Sequence, residues 1–130
     1  MSVVLLRHAS AGDRAEWTGD DRRRPLDKKG WKQATRLVYE LRELGVTRVL
    51  SSPYDRCVQT VEPLAEELGV GIEIDDRLAE GAGRRAALEL LGGLEDAVAC
   101  THGDIVEEVL GRSLKKGEYS LLKPRAVRRS

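Results

Sequence analysis

The chain of 130 residues contains no phenylalanine, two cysteines and two histidines, and its apolar runs are short. Cys57 and Cys100 are too few for a disulfide framework or a four-ligand zinc site. We expect them to pack in the core of a protein from a reducing cytoplasm. The apolar runs are far shorter than the roughly twenty residues needed to span a bilayer, so no membrane partner is predicted.

Charge of neither sign dominates, because 22 lysines and arginines balance 22 aspartates and glutamates. A dominant nucleic-acid or membrane-surface function is therefore not expected. The hydrophobic fraction of 41% and the charged fraction of 34% are ordinary for a globular protein. We predict one domain over residues 1–130 with a basic, frayed tail from about residue 123, which is either solvated or bound by an acidic partner. The sequence does not indicate the oligomeric state.

Strand and helix patterns alternate along the chain. Short apolar runs predict strands at 3–6, 48–51, 71–74 and 97–101, with a further edge strand at 117–122. Helical spacing follows Asp27, a predicted N-cap; residues 84–91 are helical in composition, and a further helix is predicted from about 104 to 110. Ser52, Pro53 and Asp55 predict a capping-box start for another helix. This order favours an α/β fold: a three-layer sandwich with a mostly parallel central sheet flanked by helices.

Both histidines directly follow predicted strands. The first strand continues into Arg7 and His8, and the fourth continues into His102 and Gly103. The second strand leads into a helix whose first turn carries Arg56. Ligands of open α/β sheets bind beyond the carboxyl ends of the strands, so these side chains are predicted to share one site.

These residue types suit a phosphoryl group. The arginine guanidinium matches phosphate oxygens in pairs, and helix N-termini near Ser52 and Gly103 add backbone donors. A neutral histidine can attack phosphorus, while a second histidine donates to the phosphoryl oxygens. The predicted site therefore needs no metal and no other cofactor.

Three motifs carry a resemblance to a known family. Leu6-Arg7-His8-Ala9, the segment from Ser51 to Thr60 (SSPYDRCVQT) and Thr101-His102-Gly103 resemble the signatures of the histidine phosphatase superfamily, which has the phosphoglycerate mutase-like fold. Arg24-Pro25-Leu26, with Gly30 and Gln33-Ala34, is similar to that family's helix after the first motif. Ala9 replaces the usual glycine. The resemblance extends from residue 3 to about 111.

The resemblance implies a role for each matched residue. His8 is expected to become phosphohistidine, and Arg7, Arg56 and His102 are expected to complete the phosphate pocket. Glu80 is the expected proton donor, and Asp104 ranks second because it resembles the acid of another branch of the family.

Residues 81–101 separate Glu80 from His102, which leaves room for one helix and one strand but no lid. The resemblance is therefore to short, lidless SixA-type phosphohistidine phosphatases, and also to the phosphatase-like half of some mycobacterial Nudix hydrolases. A phosphatase acting on a phosphomonoester or on phosphohistidine is expected rather than a mutase, which must exclude water. A nucleotide or polyphosphate hydrolase, or a phosphate-binding interaction module with little turnover, remains an alternative.

Overall fold

The computed structural model describes residues 2–122, so the predicted tail from about residue 123 lies outside the described residues. Strands and helices alternate through this part of the chain: β1 (Val3–Arg7), α1 (Lys28–Leu41), β2 (Arg48–Ser51), α2 (Asp55–Leu68), β3 (Ile72–Ile74), α3 (Arg84–Leu91), β4 (Ala97–Thr101), α4 (Gly103–Leu110) and β5 (Tyr119–Leu122). Short 3-10 turns lie at Arg14–Glu16, Asp21–Arg23, Arg42–Leu44 and Asp76–Leu78. Within residues 2–122 no helix has the length and apolar character needed to cross a membrane.

The strands form one sheet in the order β3-β2-β4-β1-β5. The first four are parallel to one another, whereas β5 runs antiparallel to β1 at the edge. Crossover helices connect the parallel strands. The predicted α/β fold with a mostly parallel sheet is therefore confirmed, and so is the edge strand near residues 117–122.

The sheet separates two apolar cores because alternate strand residues face opposite sides. Val4 and Leu6 of β1 pack with residues of α1 and α2, including Leu37, Leu41, Val61 and Leu64. Val3 and Leu5 pack on the other face with residues of α3 and α4, including Leu88, Leu91 and Val106. Helices therefore cover both faces, as the three-layer prediction requires.

One predicted helix start is confirmed and another is wrong. Asp27 caps α1, since its Oδ1 accepts a hydrogen bond of 2.7 Å from the Gly30 backbone N–H. The predicted capping box at Ser52 does not form, and α2 begins at Asp55 with Tyr54 as its N-cap. The Ser52 hydroxyl accepts a hydrogen bond of 3.3 Å from the Tyr54 backbone N–H, ahead of the helix, and is buried against His102.

Candidate active site

The carboxyl ends of β1, β4 and β2 bring the predicted site residues together. Arg7 pairs with Thr101 across the parallel β1–β4 ladder, so His8 and His102 follow side by side. Their ring centroids are 5.4 Å apart. Ser52 follows β2, which is the other neighbour of β4, and its Oγ lies 2.8 Å from Nε2 of His102. The predicted meeting of three strand ends is thus present.

His8 is a buried, neutral imidazole with a defined tautomer. Its Nδ1 lies 2.8 Å from the carbonyl oxygen of Ala9. Because a carbonyl only accepts hydrogen bonds, Nδ1 carries the proton and Nε2 keeps its lone pair. Burial lowers the pKa of His8 from 6.5 to about 3; the Ala9 hydrogen bond opposes this, and the charges of His102, Arg56 and Arg7 lower it further. At neutral pH, Nε2 therefore carries a free lone pair and no proton.

His102 is held from the side of α2. Its Nε2 contacts the Ser52 hydroxyl and lies 3.5 Å from Sγ of Cys57. The ring of Tyr54 meets it edge to face, with centroids 4.6 Å apart. Nδ1 of His102 is buried and has no hydrogen-bond partner among the described residues. A buried donor or acceptor left in this state is costly unless a ligand satisfies it.

Arg56 is fully buried, and its orientation is set by a residue far away in the chain. Nη1 donates to the Asp21 backbone carbonyl at 2.7 Å, and Nη2 donates to the Asp21 carboxylate at 3.1 Å. The guanidinium lies 4.9 Å from the centre of the Tyr54 ring. Its Nε is buried without a hydrogen-bond partner among residues 2–122.

Arg7 is anchored from the opposite side. Nη1 donates to the backbone carbonyl of Leu114 at 2.7 Å, while Nε is buried and has no partner in the described part of the chain. Gly103 lies directly against this guanidinium, and a Cβ at that position would be 3.0 Å from the Arg7 side chain. In the Thr101-His102-Gly103 motif, the histidine is therefore followed by a residue without a side chain, which leaves room for the Arg7 guanidinium.

A cleft of about 710 Å³ opens beside His8. It is lined by charged and small residues from several loops: Arg7, His8, Gly12, Asp13, Arg14, Arg24, Glu80, Gly103, Asp104, Glu107, Ser113 and Lys116. Arg56 and His102 are not among these residues, since both lie deeper in the protein.

Both candidate proton donors line this cleft, in different surroundings. Glu80 Oε2 accepts a hydrogen bond of 2.9 Å from Arg14, and Oε1 lies 3.9 Å from Nη2 of Arg56. Asp104 Oδ2 accepts from the Gly81 backbone N–H at 2.8 Å, whereas its Oδ1 is buried without a hydrogen-bond partner among residues 2–122. Asp104 therefore contacts the backbone of Gly81, the residue that directly follows Glu80 in the chain.

Sequence reasoning missed two residues of this site. Asp21 holds Arg56, and no local pattern indicates a contact over 35 positions. Tyr54 contacts both His102 and Arg56, and its position between the Ser-Ser-Pro motif and Arg56 is the signal that could have found it. Among residues 2–122, no three His, Cys, Asp or Glu side chains are grouped so that they could hold a metal ion.

Comparison with known proteins defines the family. The model of the histidine phosphatase superfamily (branch 1) matches residues 3–89, so the chain belongs to this superfamily. It is similar to an 8-oxo-(d)GTP phosphatase of Mycolicibacterium smegmatis, with 40% identity over 112 residues, covering 81% of this chain and 35% of that protein. A probable phosphoglycerate mutase of Shigella dysenteriae is 34% identical over 85 residues, covering 62% of this chain and 38% of the relative. The chain thus spans little more than a third of the length of these relatives.

Solved structures share the fold. A SixA protein from Agrobacterium tumefaciens, named for phosphohistidine phosphatase activity, superposes with a TM-score of 0.75 at 22% identity, covering 92% of this chain and 89% of that one. A SixA protein histidine phosphatase complexed with tungstate gives a TM-score of 0.73 at 20% identity, covering 96% and 98%. The family model confirms the predicted superfamily, and these structures confirm the predicted phosphoglycerate mutase-like fold, including the resemblance to the fold of the short SixA-type proteins.

Proposed function

We propose that this chain hydrolyses a phosphate monoester or phosphohistidine through a phosphohistidine formed on His8. The observation that carries the proposal is the neutral, buried His8, whose Nε2 keeps a lone pair while its Nδ1 is held by Ala9. In the first step, Nε2 forms a bond to phosphorus and the bond to the leaving group breaks. In the second step, water attacks phosphorus, the phosphorus–Nε2 bond breaks, and inorganic phosphate leaves.

The unpartnered buried nitrogens supply the phosphoryl-binding groups. Nε of Arg7, Nε of Arg56 and Nδ1 of His102 have no hydrogen-bond partner among residues 2–122, although all three are buried beside His8. A phosphoryl group has three oxygens that can accept from them. The N-terminus of α4 at Gly103 adds a positive helix dipole at the same place. Charge that develops in transfer is therefore stabilised without a metal ion.

Ser52 acts through His102 in this scheme, because its hydroxyl forms a hydrogen bond with Nε2 of that histidine. This contact fixes the ring so that Nδ1 is available to the phosphoryl group. Ser52 is thus proposed as a positioning residue, while its backbone lies at the end of β2 beside the pocket.

Glu80 is proposed to protonate the leaving group, with Asp104 as the alternative. Both carboxylates line the cleft next to His8, as a proton donor must.

Glu80→Gln should slow hydrolysis of an alkyl phosphate by roughly 10²–10⁴-fold and barely change the rate on an activated aryl phosphate, whose leaving group needs little protonation. Asp104→Asn is the matched variant. If it alone shows this dependence on the leaving group, Asp104 is the donor; a uniform loss in Glu80→Gln would assign Glu80 to positioning.

A second candidate function is hydrolysis of a nucleoside polyphosphate. It is favoured by the relative named as an 8-oxo-(d)GTP phosphatase, which aligns with 81% of this chain. The same catalytic groups serve this reaction, and only the leaving group differs. A phosphate-binding module with little turnover is the remaining alternative.

The decisive experiment combines an aryl phosphate assay with detection of the phosphoenzyme. Wild type should release the phenol and form an acid-labile, base-stable phosphoenzyme, and His8→Asn should do neither while keeping its folded spectrum. A panel of phosphohistidine protein, sugar phosphates, nucleoside polyphosphates and phosphoserine peptide then separates the substrate classes. Phosphate binding without turnover of any of these would favour the binding module.

A further inference from the structure

A second hollow, of about 260 Å³, adjoins the catalytic cleft. Its walls come from the segment between β1 and α1, and its apolar surface is formed by Ala11, Trp17, Pro25 and Leu26. Gly12, Asp13 and Arg24 line both the hollow and the cleft. A molecule whose phosphate lies at His8 could therefore extend into this hollow. We refer to it as the Trp17 hollow.

Trp17 is exposed but held in one place. Its side chain remains 38% exposed, although aromatic residues of this size are usually well covered. The indole N–H donates to the backbone carbonyl of Asp20 at 2.9 Å, and the Trp17 backbone N–H donates to Arg14. An indole fixed in this way offers a flat apolar face without the entropic cost of ordering it on binding.

The charges around the hollow are unsuited to a second phosphate. Asp13, Glu16 and Asp27 line it, and Arg24 is the one cation among the lining residues within 2–122. Arg24 is itself committed to the Asp21 carboxylate and the Ala11 carbonyl. An uncharged ring that carries N–H donors fits these surroundings better than an anion does. The Glu16 carboxylate has no hydrogen bond or ion pair among residues 2–122, so it is available as an acceptor.

We propose that the Trp17 hollow binds the base of a nucleotide whose phosphate is held at His8. This inference rests on the proposed function and specifies its substrate class. Stacking of the base on Trp17 provides affinity, and the carboxylate of Glu16 accepts hydrogen bonds from ring or amino N–H groups. The phosphate end is bound by Arg7 and the catalytic groups already described.

Substrate pairs in which one member lacks the base test this proposal. Guanosine monophosphate and ribose 5-phosphate both release a primary 5′-alcohol, and guanosine triphosphate is paired with inorganic triphosphate, which lacks the whole nucleoside. Trp17→Ala should lower kcat/KM about five- to hundredfold for the base-bearing member of at least one pair, through KM, and leave its partner unchanged. Trp31→Ala is the matched control, because Trp31 is 39% exposed and lines neither the hollow nor the cleft.

Equal losses for both members of each pair, or no loss from Trp17→Ala, would overturn the proposal. Binding is measured independently by fluorescence, since Trp31→Phe leaves Trp17 as the one tryptophan of the chain. Guanosine monophosphate should quench this fluorescence and ribose 5-phosphate should not. Quenching with equal affinity by phenyl phosphate, or no quenching by any of them, would reject the nucleobase assignment.

Failure of the proposed function would look different. If the aryl phosphate is not hydrolysed and no phosphoenzyme forms, the catalytic proposal fails, whereas the quenching result still decides whether the hollow binds a base. If the aryl phosphate is hydrolysed and the base has no effect, the catalytic proposal stands and the nucleotide inference is rejected.

Discussion

The neutral state of His8 has a consequence for stability that His8→Asn can reveal. In the unfolded chain the imidazole has an ordinary pKa near 6.5, and in the folded protein burial, the largest influence, lowers the pKa to about 3. Between these values the unfolded state binds a proton that the folded state does not bind. The folded state therefore loses stability relative to the unfolded state as pH falls below about 6.5. Asparagine does not titrate in this range.

The size of the effect follows from the difference between the two pKa values. Near pH 7.5 both states are almost unprotonated at His8, and its titration contributes almost nothing to the free energy of unfolding. At about pH 5.5, one unit below the unfolded pKa, the loss is about 1.4 kcal/mol, and it grows by a similar amount for each further unit until the folded pKa is approached. His8→Asn lacks this loss.

Urea unfolding of both proteins at about pH 7.5 and 5.5 measures the difference. We expect the stability of wild type relative to His8→Asn to fall by about 1.4 kcal/mol between the two values, because other titrations cancel in the comparison. NMR provides a direct check, since the chain has two histidines and the resonance missing in His8→Asn is that of His8. A relative stability that is independent of pH, or a midpoint near 6.5 for His8, would refute the reasoning.

Three further predictions concern the phosphate pocket. Arg56→Ala should reduce kcat/KM more than Arg56→Lys, since lysine keeps the charge but loses the planar fork; a charge-assisted bond is worth about 1.5–3 kcal/mol, or roughly 10–100-fold. A loss that is fully explained by a lower Tm in thermal unfolding would contradict this. Gly103→Ala should displace the Arg7 guanidinium and reduce turnover roughly 10–100-fold with a nearly unchanged Tm. Gly30→Ala is the control: its Cβ would meet the backbone carbonyl of Ser10, so this variant should mainly lower Tm. Activity should survive EDTA, and restoration of lost activity by magnesium or zinc would show that the site uses a metal.

Local sequence patterns determined the elements that carry the site. Short apolar runs predicted β2 and β4 with their observed bounds, and helical composition predicted α3, because strand and helix preferences are properties of neighbouring residues. The positions of Arg7, His8 and His102 directly after buried strands predicted that they meet, since parallel strands end at one edge of a sheet. Family motifs at these positions made the superfamily recognisable.

The state of each functional group was decided only by the tertiary structure. Neutral His8 depends on burial by distant parts of the chain, and the orientation of Arg56 depends on Asp21. The Ser52 side chain, predicted to cap a helix, accepts from the Tyr54 backbone N–H ahead of that helix and contacts His102 fifty positions away, because burial beside an imidazole provides a further partner for its hydroxyl. Such contacts have no period in the sequence: they arise where separate loops converge, and there burial and hydrogen bonding determine which proton each group holds.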